Sequence, residues 1–131
     1  MGRACVIFLD TCALLYNAFE KGSLSPAAAQ KIGESDGFLI SSISIWEIGI
    51  KIKKGKLNIP IPLEEFISKL HQVQHFHILA IDEKIWMNSL NLDWDHRDPA
   101  DRVIVASAGA NHMELITSDR IILNFYPEAV W

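Results

Sequence analysis

The stretch Cys5-Val6-Ile7-Phe8-Leu9-Asp10 decides how the rest of the chain is read. Five apolar residues run without a polar interruption and stop at a carboxylate. A strand with one wet face would alternate apolar and polar side chains. A continuous apolar run instead predicts a strand buried on both faces, the hallmark of a parallel sheet. Gly37-Phe38-Leu39-Ile40-Ser41 has the same character. Residues 75–81 read as a third strand, and Leu115-Ile116-Thr117 as a last one, ending at Ser118-Asp119.

Helical segments fill the gaps. Residues 13–20 form the first. Ser25-Pro26 supplies an N-cap and a first-turn proline for residues 27–34. Ser44 opens a helix that runs to about Lys54 and stops at Gly55. Pro62 starts another, with Leu63, Phe66, Ile67 and Leu70 on one face. Asp82 caps a helix through Leu90, and Asp98-Pro99 opens a long one over 100–111, rich in Val and Ala. A short helix and an apolar tail, 125–131, finish the chain. Strand and helix alternate, which predicts an α/β fold with a central, mostly parallel sheet and helices on both faces.

The 131 residues, half of them hydrophobic, suit a single domain over 1–131 that folds without a disulfide or metal staple. Cys5 and Cys12 cannot build a disulfide framework and read as reduced thiols. No apolar run reaches the ~18–20 residues of a membrane span. Near the start, Arg3 is the one basic residue, and Val6 to Leu9 is too short for a signal-peptide core. A soluble, cytoplasmic protein is expected.

The acids fall at informative places. In open α/β sheets, ligands sit beyond the carboxyl ends of the strands. Asp10 follows the first strand and Asp119 the last. Glu47 lies in the first turn of the helix after the second strand, and Asp101 in the first turn of the helix opened by Asp98-Pro99. Clustered carboxylates repel one another and need a compensating charge. A hard cation such as Mg²⁺ or Mn²⁺ supplies it and can polarise a phosphodiester. Each acid also has a capping explanation. Ser44 and Glu47 fit a capping box. Asp98 fits an N-cap, and Asp101 a dipole-compensating acid. Four such acids on one predicted edge are less easily explained by capping alone.

Four motifs in order, Leu9-Asp10-Thr11, Ser44-Ile45-Trp46-Glu47-Ile48, His96-Arg97-Asp98-Pro99-Ala100-Asp101-Arg102 and Leu115-Ile116-Thr117-Ser118-Asp119, resemble the PIN domain family. More narrowly they resemble its VapC-type ribonuclease toxins. The resemblance covers essentially the whole chain. It implies a three-layer α/β/α sandwich, Mg²⁺ or Mn²⁺ dependence and endonucleolytic cleavage of RNA. It carries over Asp10, Glu47, Asp101 and Asp119 as catalytic, metal-binding acids. Asp98, Thr11 and Thr117 then support those acids. It also implies a small antitoxin as partner and a homodimer. Ala100 departs from the family pattern, where an aromatic is frequent, but touches no ligand.

Arg97 and Arg102 flank Asp101 and are candidate phosphate contacts. Lys51, four residues after Glu47, is either its ion-pair partner or a phosphate contact at the rim. Lys51, Lys53, Lys54 and Lys56 form the one basic concentration, suited to a helix end or to an RNA backbone. His75 and His77 would share a strand face, but no third ligand accompanies them. Phe125 and Trp131 in the apolar tail could support the dimer.

Two rival readings bear stating. A strand-end aspartate also serves phosphotransferases and phosphatases as phosphoryl acceptor, but Cys12 stands where such a phosphatase wants its second acid. A catalytically silent PIN-like module that binds RNA or protein is the other, and the intact acids disfavour it. Net charge does not decide against RNA. Setting aside the four proposed ligands leaves 12 acids against 12 Lys and Arg, so the −4 can be located in one cluster.

Overall fold

The computed structural model describes residues 5–131, so Arg3 lies outside the described residues. Five strands form one sheet: β1 (Val6–Leu9), β2 (Gly37–Ser41), β3 (Phe76–Leu79), β4 (Leu115–Ile116) and β5 (Ala129–Val130). Their order is β3-β2-β1-β4-β5, and every pairing is parallel. The quoted apolar run is therefore the central strand. Ile7, Phe8 and Leu9 are fully buried, each worth roughly 1.5–3 kcal/mol relative to an exposed position.

Seven α-helices accompany the sheet among the described residues: α1 (Thr11–Phe19), α2 (Pro26–Glu34), α3 (Ser42–Lys53), α4 (Leu63–Gln72), α5 (Glu83–Leu90), α6 (Pro99–Ala110) and α7 (Arg120–Phe125). Successive β1 side chains enter opposite layers. Phe8 packs with Val103, Ile104, Ile85 and Ile122 from α6, α5 and α7. Ile7 and Leu9 pack with Leu14, Ala28, Ile48 and Phe66 from α1 to α4. This is the expected three-layer α/β/α sandwich, with α6 its most deeply buried helix.

Three local expectations change. The tail holds β5, a parallel edge strand too short to show a pattern. The third strand starts at Phe76, not at residue 75. His75 lies outside it in the left-handed region, at φ 59°, so the two histidines do not form a same-face strand pair. Gly37 sits against that turn, where a Cβ would come within 2.8 Å of the His75 carbonyl oxygen. The apolar tail is also engaged within the chain. Phe125 stacks on Trp94 and Trp131 tilts against Tyr16. Among the described residues, no helix is long and apolar enough to cross a membrane. Cys5 and Cys12 are both free.

Candidate active site

The carboxyl ends of β1 and β4 open on the same edge of the sheet, and the starts of α1, α6 and α7 meet there. Asp10 caps α1, its Oδ1 accepting from the Ala13 amide at 2.8 Å. Asp119 caps α7, accepting from the amides of Ile121 and Ile122. Asp98 caps α6 by accepting from the Asp101 amide. Capping is thus real at these three positions. It does not account for Asp101, whose side chain caps nothing and instead meets His96, Nε2 to Oδ2 at 2.7 Å.

The capping explanation of Glu47 fails. Ser41, not Ser44, caps α3, and its hydroxyl accepts from the Ile43 amide. Glu47 therefore stands in the second turn, too far along to close a capping box. Ser44 is buried within the helix and accepts the Thr11 hydroxyl at 2.9 Å. That bond ties α1 to α3 beneath the acids. Thr117 performs a related service. It is fully buried, its side chain stands beside Asp10 and opposes the rise of that carboxyl, and its Oγ1 accepts from the Asp119 amide. One hydroxyl thereby links two acids from two strands.

The acids influence one another. Burial pushes the Asp10 carboxyl up to about 6; Thr117 and the Ala13 amide oppose the rise, and Asp101 and Glu47 add to it. Burial likewise pushes Asp101 up to about 6, with His96 opposing and Asp98 and Asp119 adding. Two carboxyls at one rim, each raised first by burial and further by acidic neighbours, mark a place where a cation would be stabilised.

Among the described residues, no three His, Cys, Asp or Glu side chains stand close enough together to form a metal cage. Mg²⁺ does not require one, since it commonly takes one or two carboxylates and completes its shell with water and substrate phosphate. Asp101 and Asp119 each use one oxygen in the hydrogen bonds above. The all-oxygen, carboxylate-rich donor set fits a hard divalent cation and lacks the soft ligands of a zinc site.

The three candidate phosphate contacts separate. Arg97 is exposed, and its side chain makes no hydrogen bond or ion pair among the described residues. Lys51 lies 3.7 Å from Glu47, in a half-exposed i,i+4 pair. Arg102 is different. Its guanidinium donates to the carbonyls of Ser89, Leu90, Leu92, Trp94 and His96. Its fork is filled by backbone, which corrects its reading as a phosphate contact.

A PIN domain model matches residues 7–126. The chain belongs to the PIN domain family. The chain is 26% identical over 129 residues to "Ribonuclease VapC22" of Mycobacterium tuberculosis (strain ATCC 25618 / H37Rv), covering 95% of this chain and 98% of that protein. Two solved structures share the PIN fold seen here. A toxin–antitoxin complex from Klebsiella pneumoniae gives a TM-score of 0.67 at 22% identity, covering 95% of this chain and 96% of that one. VapBC2 from Rickettsia felis, bound to a DNA fragment from its promoter, gives 0.63 at 18% identity over the same shares.

Proposed function

We propose that this PIN domain is a Mg²⁺- or Mn²⁺-dependent endoribonuclease and the toxin of a VapBC-like toxin–antitoxin pair in the cytoplasm. The observation that carries the reading is the carboxylate group at one sheet edge, with Asp10 and Asp101 both pushed up to about 6. Its similarity to a ribonuclease over nearly the whole chain supports RNA as substrate. Of Asp10, Glu47, Asp101 and Asp119, one or two would hold the ion directly and the others through its water shell. When bound, it supplies charge stabilisation to the phosphodiester oxygens during in-line displacement.

The chain's own contribution is positioning. Thr117 fixes Asp10 relative to Asp119, and Thr11 with Ser44 fixes α1 relative to α3. Arg97 is available to meet substrate phosphate, and Lys54 and Lys56 line one cleft with Lys51, Glu47 and Asp98, which extends a basic surface along that side of α3 and its end. RNA strands carry a phosphate per nucleotide, and such a run favours them through counterion release.

Similarity to the solved toxin–antitoxin complexes supports a small antitoxin as partner. A homodimer is supported by a different surface from the apolar tail. Trp46, Trp86, Met87 and Leu90 are 45–70% exposed on α3 and α5. Trp46 and Trp86 line one cleft of about 380 Å³. A patch of this kind marks an interface. Leu90→Glu should convert a dimer to a monomer by light scattering, while Trp131→Ala should leave the dimer intact.

Purified protein should cleave RNA with Mg²⁺ or Mn²⁺ and stop in EDTA. Cleavage that persists in EDTA overturns the metal reading.

A further inference from the structure

The connection between α5 and α6, residues 91–98, has no regular secondary structure, yet it is fastened more tightly than either helix end requires. Arg102, in the first turns of α6, holds it from one side. Nε and Nη2 donate to the Ser89 carbonyl, Nη1 to those of Trp94 and His96 at 2.6 and 2.9 Å, and Nη2 to that of Leu92. Trp94 holds it from the other side, its ring stacked on Phe125 with centroids 4.4 Å apart and planes 7° apart. Trp94 then packs against the His96 imidazole at 4.8 Å, and His96 reaches Asp101 at 2.7 Å.

These contacts form a closed mechanical loop. Arg102 is the immediate neighbour of Asp101. It fixes the connection whose far end returns His96 to the Asp101 carboxylate. Phe125 closes α7, and the first turn of α7 is capped by Asp119. The same stack therefore connects the mounts of two of the four acids.

We propose that His96 is a positioning residue for Asp101, and that Arg102 and Trp94 hold it in place. The imidazole donates its Nε2–H to Oδ2, which fixes the carboxylate's rotation and leaves its other oxygen for the cation. Carboxylates that bind metals are commonly held this way, and loss of the holding group typically weakens metal binding by roughly 10–100-fold. The bond is short and part-buried on both sides. This proposal rests on the reading of Asp101 as a metal-binding acid.

The test is Mn²⁺ binding to the full chain, measured calorimetrically and by electron paramagnetic resonance, alongside RNA cleavage over a Mn²⁺ series. His96→Ala should weaken Mn²⁺ by about tenfold, with maximal cleavage recovered at high Mn²⁺. His96→Gln, whose amide donates from a similar place, should regain most of the affinity. Arg102→Lys keeps the charge but loses the planar fork, and should weaken Mn²⁺ in the same direction. Unchanged affinity in His96→Ala, or His96→Gln as weak as His96→Ala, overturns the positioning role and leaves the metal site standing. Equal Mn²⁺ affinity in wild type and Asp101→Asn overturns the role of Asp101 and this proposal with it.

Discussion

Asp10 and Asp82 do the same local job and end in different chemistry. Each is an aspartate at a helix N-cap, and each accepts from the amide three residues on, Ala13 at 2.8 Å and Ile85 at 2.9 Å. Asp82 precedes α5 beyond the edge strand β3 and is exposed. Asp10 follows the central strand and is 5% exposed, facing Asp101 and Glu47 across the sheet edge. A cap is a local device and does not discriminate between them. Position in the sheet does, because only a central strand end is walled by the starts of several helices at once.

The sharpest way to break this comparison is to make the same substitution twice. Asparagine keeps the capping acceptor and removes the charge. Asp10→Asn should lower Mg²⁺-dependent RNA cleavage by roughly a hundredfold or more, on the scale of removing a group that acts on developing charge. Asp82→Asn should leave cleavage unchanged. Equal losses in gel-based cleavage assays would reduce both residues to caps.

Stability against pH sharpens the same contrast. Asp10 and Asp101 sit near 6 in the fold against 3.8 for the ordinary carboxyl. The folded state therefore binds those protons more tightly than the unfolded chain. Their contribution to stability is fullest below about 4 and falls as pH rises to about 6, where the cost levels off. Asp10→Asn removes its share, up to about 3 kcal/mol by the conversion of a pKa difference to free energy. Urea melts of the metal-free protein should show Asp10→Asn more stable than wild type at pH 7.5 and no more stable at pH 3.5. A gain that is the same at both pH values would disprove the buried charge as its cause.

Smaller effects belong to the purely structural side. Asp82→Ala should lose ~1 kcal/mol in denaturant melts, the worth of an N-cap, with Mn²⁺ affinity unchanged. Lys51→Ala should cost at most ~0.5 kcal/mol, since its partner is one turn away on the same partly exposed helix face.

Much of this was legible in the residues. The apolar run 5–9 gave the central strand because burial on both faces leaves no polar position. Asp98-Pro99 gave the start of α6 because proline at the first helical turn has no amide to lose. The cap of α3 lies three residues before the one expected from the sequence, because three serines, Ser41, Ser42 and Ser44, are chemically equivalent caps and only packing selects Ser41. β5 was missed because two residues carry no periodicity. From the sequence the tail aromatics Phe125 and Trp131 are candidate dimer contacts. Their stacking partners, Trp94 and Tyr16, come from far along the chain.

The sequence by itself determined the alternation of strand and helix, the parallel sheet and the order in which acids punctuate it. These follow from local burial patterns and from backbone groups that need caps. The tertiary structure decided which acids share an edge, why Asp10 and Asp101 hold protons to about 6, and that Arg102 grips backbone instead of pointing to substrate. It also joined His96 to Asp101. Those outcomes depend on distance and desolvation between segments far apart in the chain, and neither quantity is written in residue spacing.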